Sequence, residues 1–323
     1  MKSNRKTITI FLSLFFLVAC LVYAGDVQID IAVLPYTISQ SGSYVVTCNI
    51  SLSTTNTNGI TISANDVSLD LNGHTLKGPG KAAGTSGSGI SVSSARYNIV
   101  IRNGIIRDWR LIGVSASNAR NSQFESLQCY YNGTHGLTAG RGCIVKENTC
   151  SFNDFEGISA EGSTIIQNVC YSNGRNGISA TSGCLIESNN CRYNGAAGIS
   201  GGVSAIVSKN NCYSNTGDGI TVYSNCYVFE NNCNGNGSGT GDGAGINITG
   251  SDNSIERNLV TDNDRGIDCN PAIGNIIFST RASGNTTNYD IADSNLFGEI
   301  LTLLVTIPNP GLSLSNSYAN FNF

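Results

Sequence analysis

The run Asn168-Val169-Cys170-Tyr171-Ser172-Asn173-Gly174-Arg175-Asn176-Gly177-Ile178-Ser179 is followed 21 residues later by Asn189-Asn190-Cys191-Arg192-Tyr193-Asn194-Gly195-Ala196-Ala197-Gly198-Ile199-Ser200. The centre of this unit recurs at Cys129, Cys150, Cys170, Cys191, Cys212 and Cys233, at intervals of 21, 20, 21, 21 and 21, and Val260 takes the same place one unit on. Two positions earlier stand Asn148, Asn168, Asn189, Asn210, Asn231 and Asn258, and three positions later Asn132, Asn153, Asn173, Asn194, Asn215, Asn236 and Asn263. Five positions earlier lies an apolar column, Phe124, Val145, Ile165, Ile186, Val207, Val228 and Ile255. About seven positions later comes a Gly-Ile or Gly-Leu step, from Gly136-Leu137 to Gly266-Ile267.

A unit near 21 residues is too short for a helix pair, which needs roughly 33 or more. Its apolar positions alternate over short runs bounded by Gly and Asn, the pattern of strands and turns. One unit suits one coil of three short strands, and coils stack about 4.8 Å apart, so equivalent residues touch. The expected fold is all-β: a single-stranded right-handed parallel β-helix (solenoid) of about 21 residues per coil. Asn at the corners is expected to adopt the left-handed region and to bond its amide to the Asn above and below. Gly before each Ile is expected to allow a turn that a Cβ would block. Ile, Val and Cys then fill a narrow interior. Looser copies extend upstream at Gly59-Ile60, Gly89-Ile90 and Gly113-Val114. Residues 77–88 form a Gly/Ser-rich loop, and about five extra residues enter near 235–240. Segments 25–52 and 300–323 are expected to cap the open ends, where sheet edges would otherwise be unpaired.

The composition agrees. Charged residues are 12%, about half the usual share, and 38 Gly accompany 5 Pro. Lys2, Arg5 and Lys6 followed by apolar residues 8–22 read as a signal peptide over 1–24, with Val22-Tyr23-Ala24 before the cleavage point. Leu17-Val18-Ala19-Cys20 also reads as a lipobox, so a lipid anchor at Cys20 is the alternative to plain secretion. Localisation is therefore expected outside the cytoplasm: secreted, cell-surface or periplasmic. Without that segment 15 basic residues face 22 acidic ones, a net charge of −7. This argues against nucleic acid and, Cys20 lipidation aside, against membranes as partners.

Ser41-Gly42-Ser43-Tyr44-Val45-Val46-Thr47, Gly59-Ile60-Thr61-Ile62 and Val67-Ser68-Leu69-Asp70-Leu71-Asn72-Gly73-His74-Thr75-Leu76 resemble the N-terminal signature of bacterial right-handed parallel β-helix repeat proteins. Asn316-Ser317-Tyr318-Ala319-Asn320-Phe321-Asn322-Phe323 resembles their closing motif. The resemblance spans nearly all of the chain after residue 24. It implies the pectate-lyase-like superfamily, which holds polysaccharide lyases, polygalacturonases, epimerases and tailspikes, and it implies a polysaccharide or cell-surface glycan as partner. It assigns no activity. The polygalacturonase set is missing, with Thr134-His135-Gly136 the nearest match, and so is the Asp-Pro-His-Asp of alginate epimerases.

Candidate sites follow from the columns. Asp218, Asp242, Asp262, Asp264 and Asp268, with Arg265 among them, gather in the last coils. They read as an acid/base set, as a calcium site built on Asp218, Asp242 and Asp264, or as dispersed turn residues. His135 with Glu156 one coil on, and Arg175 beside them, reads as an acid/base cluster or as a surface ion pair. Tyr130, Tyr131, Phe152, Phe155, Tyr171, Tyr193 and Tyr213 suggest a ridge on which sugar faces stack. Thr138, Ser159, Ser179, Ser200 and Thr221 form an outward hydroxyl strip. The six-Cys column is read as inward, mainly reduced thiols, in a compartment that permits disulfides. The functions open are glycan binding along one sheet face, a lyase, hydrolase or epimerase using groups from neighbouring coils, and a structural or adhesin-like surface protein.

Overall fold

A computed structural model describes residues 28–81, 86–238, 243–302 and 320–322. Residues 1–27, which carry the expected signal segment and Cys20, lie outside these, as do most of the closing segment and the tip of the 235–240 insertion. Among the described residues there is no helix, and so none long and apolar enough to cross a membrane.

Each coil has three strands, as in Ile158–Ala160, Thr164–Ile166 and Val169–Tyr171, before the chain turns into Ile178–Ala180. The first strands of successive coils form a 12-stranded parallel sheet, from Tyr36–Ile38 to Thr287–Ile291. The second and third strands belong to one 24-stranded sheet that bends at the corner between them. Register is one-to-one: Cys129 pairs with Cys150, Cys150 with Cys170, and so on to Cys233 and Val260. The Gly-Ile strands keep the same order, Ile158 on Ile178 on Ile199 on Ile220.

Inward columns of Ile, Val, Ala and Cys are fully or nearly fully buried and form one continuous core, with Trp109 inside it and its Nε1 bonded to Leu76 O. Each such Ile or Val contributes roughly 1.5–3 kcal/mol of transfer free energy, against the entropy of ordering its coil. All eleven described cysteines are free thiols, and only Cys48 is exposed.

Two expectations about the corners change. The ladder Asn residues do not take positive φ. The residue just before each does: Glu147, Gln167, Ser188, Lys209 and Glu230 at one corner, Tyr131, Phe152, Ser172, Tyr193 and Ser214 at the other. That residue makes the bend, which turns the Asn side chain inward. There Asn189 Nδ2 donates to Ile165 O and to Asn210 Oδ1, while its Oδ1 accepts from the backbone and side chain of Asn168. The Gly of Gly-Ile is likewise not a left-handed residue. A Cβ on Gly177 would sit 2.7 Å from Gly198 O and 2.8 Å from Asn194 Nδ2, so Gly is required by the close approach of the next coil.

Candidate functional site

The third strand of each coil presents an outward residue one position after the Cys column. In register these are Arg107, Tyr130, Ser151, Tyr171, Arg192, Tyr213 and Asn234. The corner residue that follows adds Tyr131, Phe152 and Tyr193, which are 45%, 39% and 56% exposed. The two columns mesh. Tyr130 meets Tyr131 edge-on at 5.5 Å, Tyr131 stacks on Phe152 at 5.1 Å, and Phe152 meets Tyr171 edge-on at 5.4 Å. The Arg192 guanidinium lies 4.9 Å from the Tyr171 centroid and 6.0 Å from that of Tyr213, and Tyr213 meets Tyr193 at 5.6 Å. Arg107 closes the other end over Tyr130 at 5.9 Å. Six coils take part, so the ridge runs ~24 Å along the helix axis.

Three of these rings sit where the backbone least favours them. Tyr131, Phe152 and Tyr193 have φ of 55°, 53° and 54°, a region costing an ordinary residue roughly 1–2 kcal/mol. Elsewhere in the same column the chain uses Asp108, Ser172, Ser214, Gly235, Asp262 and Gly284.

Of the expected ridge residues, Tyr130, Tyr131, Tyr171, Tyr193 and Tyr213 stand in it, with Phe152. Phe155 does not. It lies at the next corner, edge-on to His135 at 5.7 Å and 4.1 Å below the Arg175 guanidinium. Arg107 and Arg192 were missed because the column is spelled by aromatics, and only register places an Arg between two of them.

His135 Nε2 is 3.0 Å from Glu156 Oε2 across neighbouring coils, and this hydrogen bond, followed by burial in the opposite sense, leaves the Glu156 carboxyl below its ordinary value. His135 Nδ1 and the Thr134 hydroxyl are buried with no hydrogen-bond partner.

The expected acidic cluster is divided. Asp218 accepts from Ala244 N, Thr221 Oγ1 and Asn247 Nδ2 at 2.8, 2.7 and 3.0 Å. Asp264 accepts from Gly243 N. Arg265 pairs with Asp268 at 2.6 Å and with Asp290 at 3.4 Å. Asp262 stands at the ridge-side corner, bonded by Asn234. Asp242 lies outside the described residues. Among the described residues no three His, Cys, Asp or Glu side chains converge as metal ligands.

The hydroxyl strip is longer than the five residues expected, running from Thr37, Thr61, Ser91 and Ser115 through Thr221 to Asn247, Asp268 and Asp290. Thr138 departs from it: it is buried, because its Oγ1 turns back to accept from Ala116 N in the coil below.

No protein-family model matches the sequence, and no curated protein matches it. Solved structures do. The A-module of the Azotobacter vinelandii mannuronan C-5 epimerase AlgE4 superposes with a TM-score of 0.70 at 14% identity, over 84% of this chain and 91% of that one. The Dettilon tailspike protein gives 0.65 at 13%, over 91% of this chain and 61% of its own. The DFA-IIIase of Arthrobacter chlorophenolicus A6 gives 0.53 at 14%, over 80% and 70%. At these identities the likeness is one of fold: the chain is a right-handed parallel β-helix of the kind that carbohydrate-active epimerases and tailspikes carry.

Proposed function

We propose that this chain is a secreted or cell-surface protein that binds polysaccharide along the Tyr130–Tyr213 ridge, with the glycan lying parallel to the helix axis. One observation carries the reading: exposed rings occupy strained corner positions and interlock with two arginines into a continuous strip. Aromatic faces stack on the apolar faces of sugar rings, and guanidinium groups donate to ring oxygens, hydroxyls or carboxylates. The fold-level likeness to a mannuronan epimerase and a tailspike supports the choice of partner. Affinity electrophoresis through gels containing defined acidic and neutral polysaccharides tests it. Retardation by at least one polysaccharide, lost in Tyr171→Ala/Arg192→Ala, is the expected result. Unretarded migration in all of them, or retardation equal in that variant, overturns it.

Catalysis is a second reading, favoured by one placement. His135 and Glu156, contributed by neighbouring coils, stand at the next corner of the coils that carry Tyr131 and Phe152. Incubation with the retained polysaccharide, followed by ultraviolet absorbance and reducing-end assays, decides this. Unsaturated products would identify a lyase, and reducing ends alone a hydrolase. If neither forms, an exchange of substrate protons for solvent deuterium would still identify an epimerase. Silence in all three, with binding retained, leaves binding as the function.

A further inference from the structure

The first-strand sheet carries a groove away from the ridge. Its walls come from three successive coils: Ser179, Thr181 and Ser182 below, Ser200, Gly202 and Val203 in the middle, and Tyr223 above. The depression has a volume of about 370 Å³, inside the ~300–1,000 Å³ range of small-molecule sites. It exists because the middle coil carries no side chain at its centre. Ala180 pairs with Gly201 and Gly201 with Val222, which places Gly202 between Thr181 and Tyr223. A Cβ on Gly202 would lie 2.6 Å from Thr181 C and 2.8 Å from its O, so the gap is enforced by backbone packing and cannot close by a side-chain shift.

The lining has one chemical character. Tyr223 is 53% exposed and offers a ring face. The hydroxyls of Ser179, Ser182 and Ser200 make no hydrogen bond within the described residues, so their donors and acceptors are unspent. No charged side chain lines the groove. An aromatic face with a row of free hydroxyls and no charge is complementary to a neutral pyranose, which offers an apolar face and a rim of hydroxyls. The ridge differs, since it carries Arg107 and Arg192 among its rings.

We infer that this groove is a second carbohydrate site, separate from the ridge and selective for uncharged sugar residues, with Tyr223 as its stacking platform. It does not depend on the ridge being a glycan site. Three coils span two steps of about 4.8 Å, roughly 10 Å, so the site holds a short stretch of chain and not a long one.

The test is a titration of the full-length protein, labelled with ¹³C in its tyrosine rings, with cellohexaose, xylohexaose and maltohexaose as probes. A saturable shift of the Tyr223 resonances with at least one of them is expected. Tyr223→Ala should weaken that binding about tenfold or more, and Ser182→Trp, which fills the groove from its exposed wall, should do the same. A Tyr171→Ala/Arg192→Ala variant should bind the same probe as the wild type does. If no probe shifts Tyr223, or if both groove variants bind as the wild type, the inference is wrong. If the groove variants lose the neutral probe while the wild type migrates unretarded through every gel, or while the ridge variant is retarded as much as the wild type, only the groove is a sugar site, and the failure belongs to the ridge.

Discussion

Arg192 lies over the ring of Tyr171, its guanidinium carbon 4.9 Å from the ring centroid, and the two residues are direct register partners in neighbouring coils. The sequence separates them by 21 positions, and the coil repeat makes them one contact. If they grip a glycan together, their contributions to binding are coupled. A double-mutant cycle of Tyr171→Ala and Arg192→Ala, read in polysaccharide affinity, should give a coupling of about 1 kcal/mol, the scale of a cation–π contact between neighbours. Strict additivity would mean that the two residues act separately.

Tyr193 offers a variant that separates binding from folding. Its φ of 54° suits Asn better than Tyr, and its ring is more than half exposed. Tyr193→Asn relieves backbone strain but loses the edge contact with Tyr213. The unfolding free energy from urea denaturation is expected to hold or rise, by up to ~1 kcal/mol, while polysaccharide retardation falls. A fall in stability of that size would show that the ring is there for packing.

The Asn ladder sets the opposite expectation. Asn189 is buried, and its amide serves Ile165 O, Asn210 Oδ1 and both nitrogens of Asn168. Asn189→Ala strands several of these groups, each costing roughly 1–3 kcal/mol when buried. A loss of at least ~3 kcal/mol in chemical denaturation is expected, with no specific effect on binding in the fraction that remains folded.

Thiol labelling reads the interior directly. Burial pushes the Cys170 and Cys212 thiols well above their ordinary value, which suppresses the reactive thiolate. In the native protein only Cys48 among the described cysteines is exposed, so one fast-reacting thiol is expected, and the others should react only after denaturation. Fewer thiols after denaturation than cysteines in the chain would show disulfides in the column.

Glu156 predicts a pH dependence. Its carboxyl lies below its ordinary value in the fold, chiefly through the bond with His135. A depressed carboxylate contributes stability that is fully present above the unfolded value and is lost as pH falls through the folded one. Wild-type stability should therefore drop on acidification below the ordinary carboxylate range by more than that of Glu156→Gln, as followed by urea midpoints across that range. Parallel profiles would mean that the pair does not contribute.

Much was legible in the sequence because a stacked coil repeats its environment. Each position meets the same position one coil away, so the period alone assigned inward Cys and Ile, outward Ser and Tyr, and vertical neighbours such as Cys170 and Cys191. Three things needed the tertiary structure, and each is a contact the period does not encode. The strained corner residue is the one before each Asn, as at Tyr193 before Asn194, because the chain must bend there for the amide to turn inward. Gly177 is small because the carbonyl of Gly198 in the next coil approaches it, a distance set by coil packing and not by local turn preference. Phe155 and Phe152 are three residues apart, yet only Phe152 joins the ridge, because a corner lies between them and sends their rings to different faces. The sequence by itself determined the coil, its columns and its core. The lateral arrangement of those columns around each corner was decided by the packing of one coil on the next.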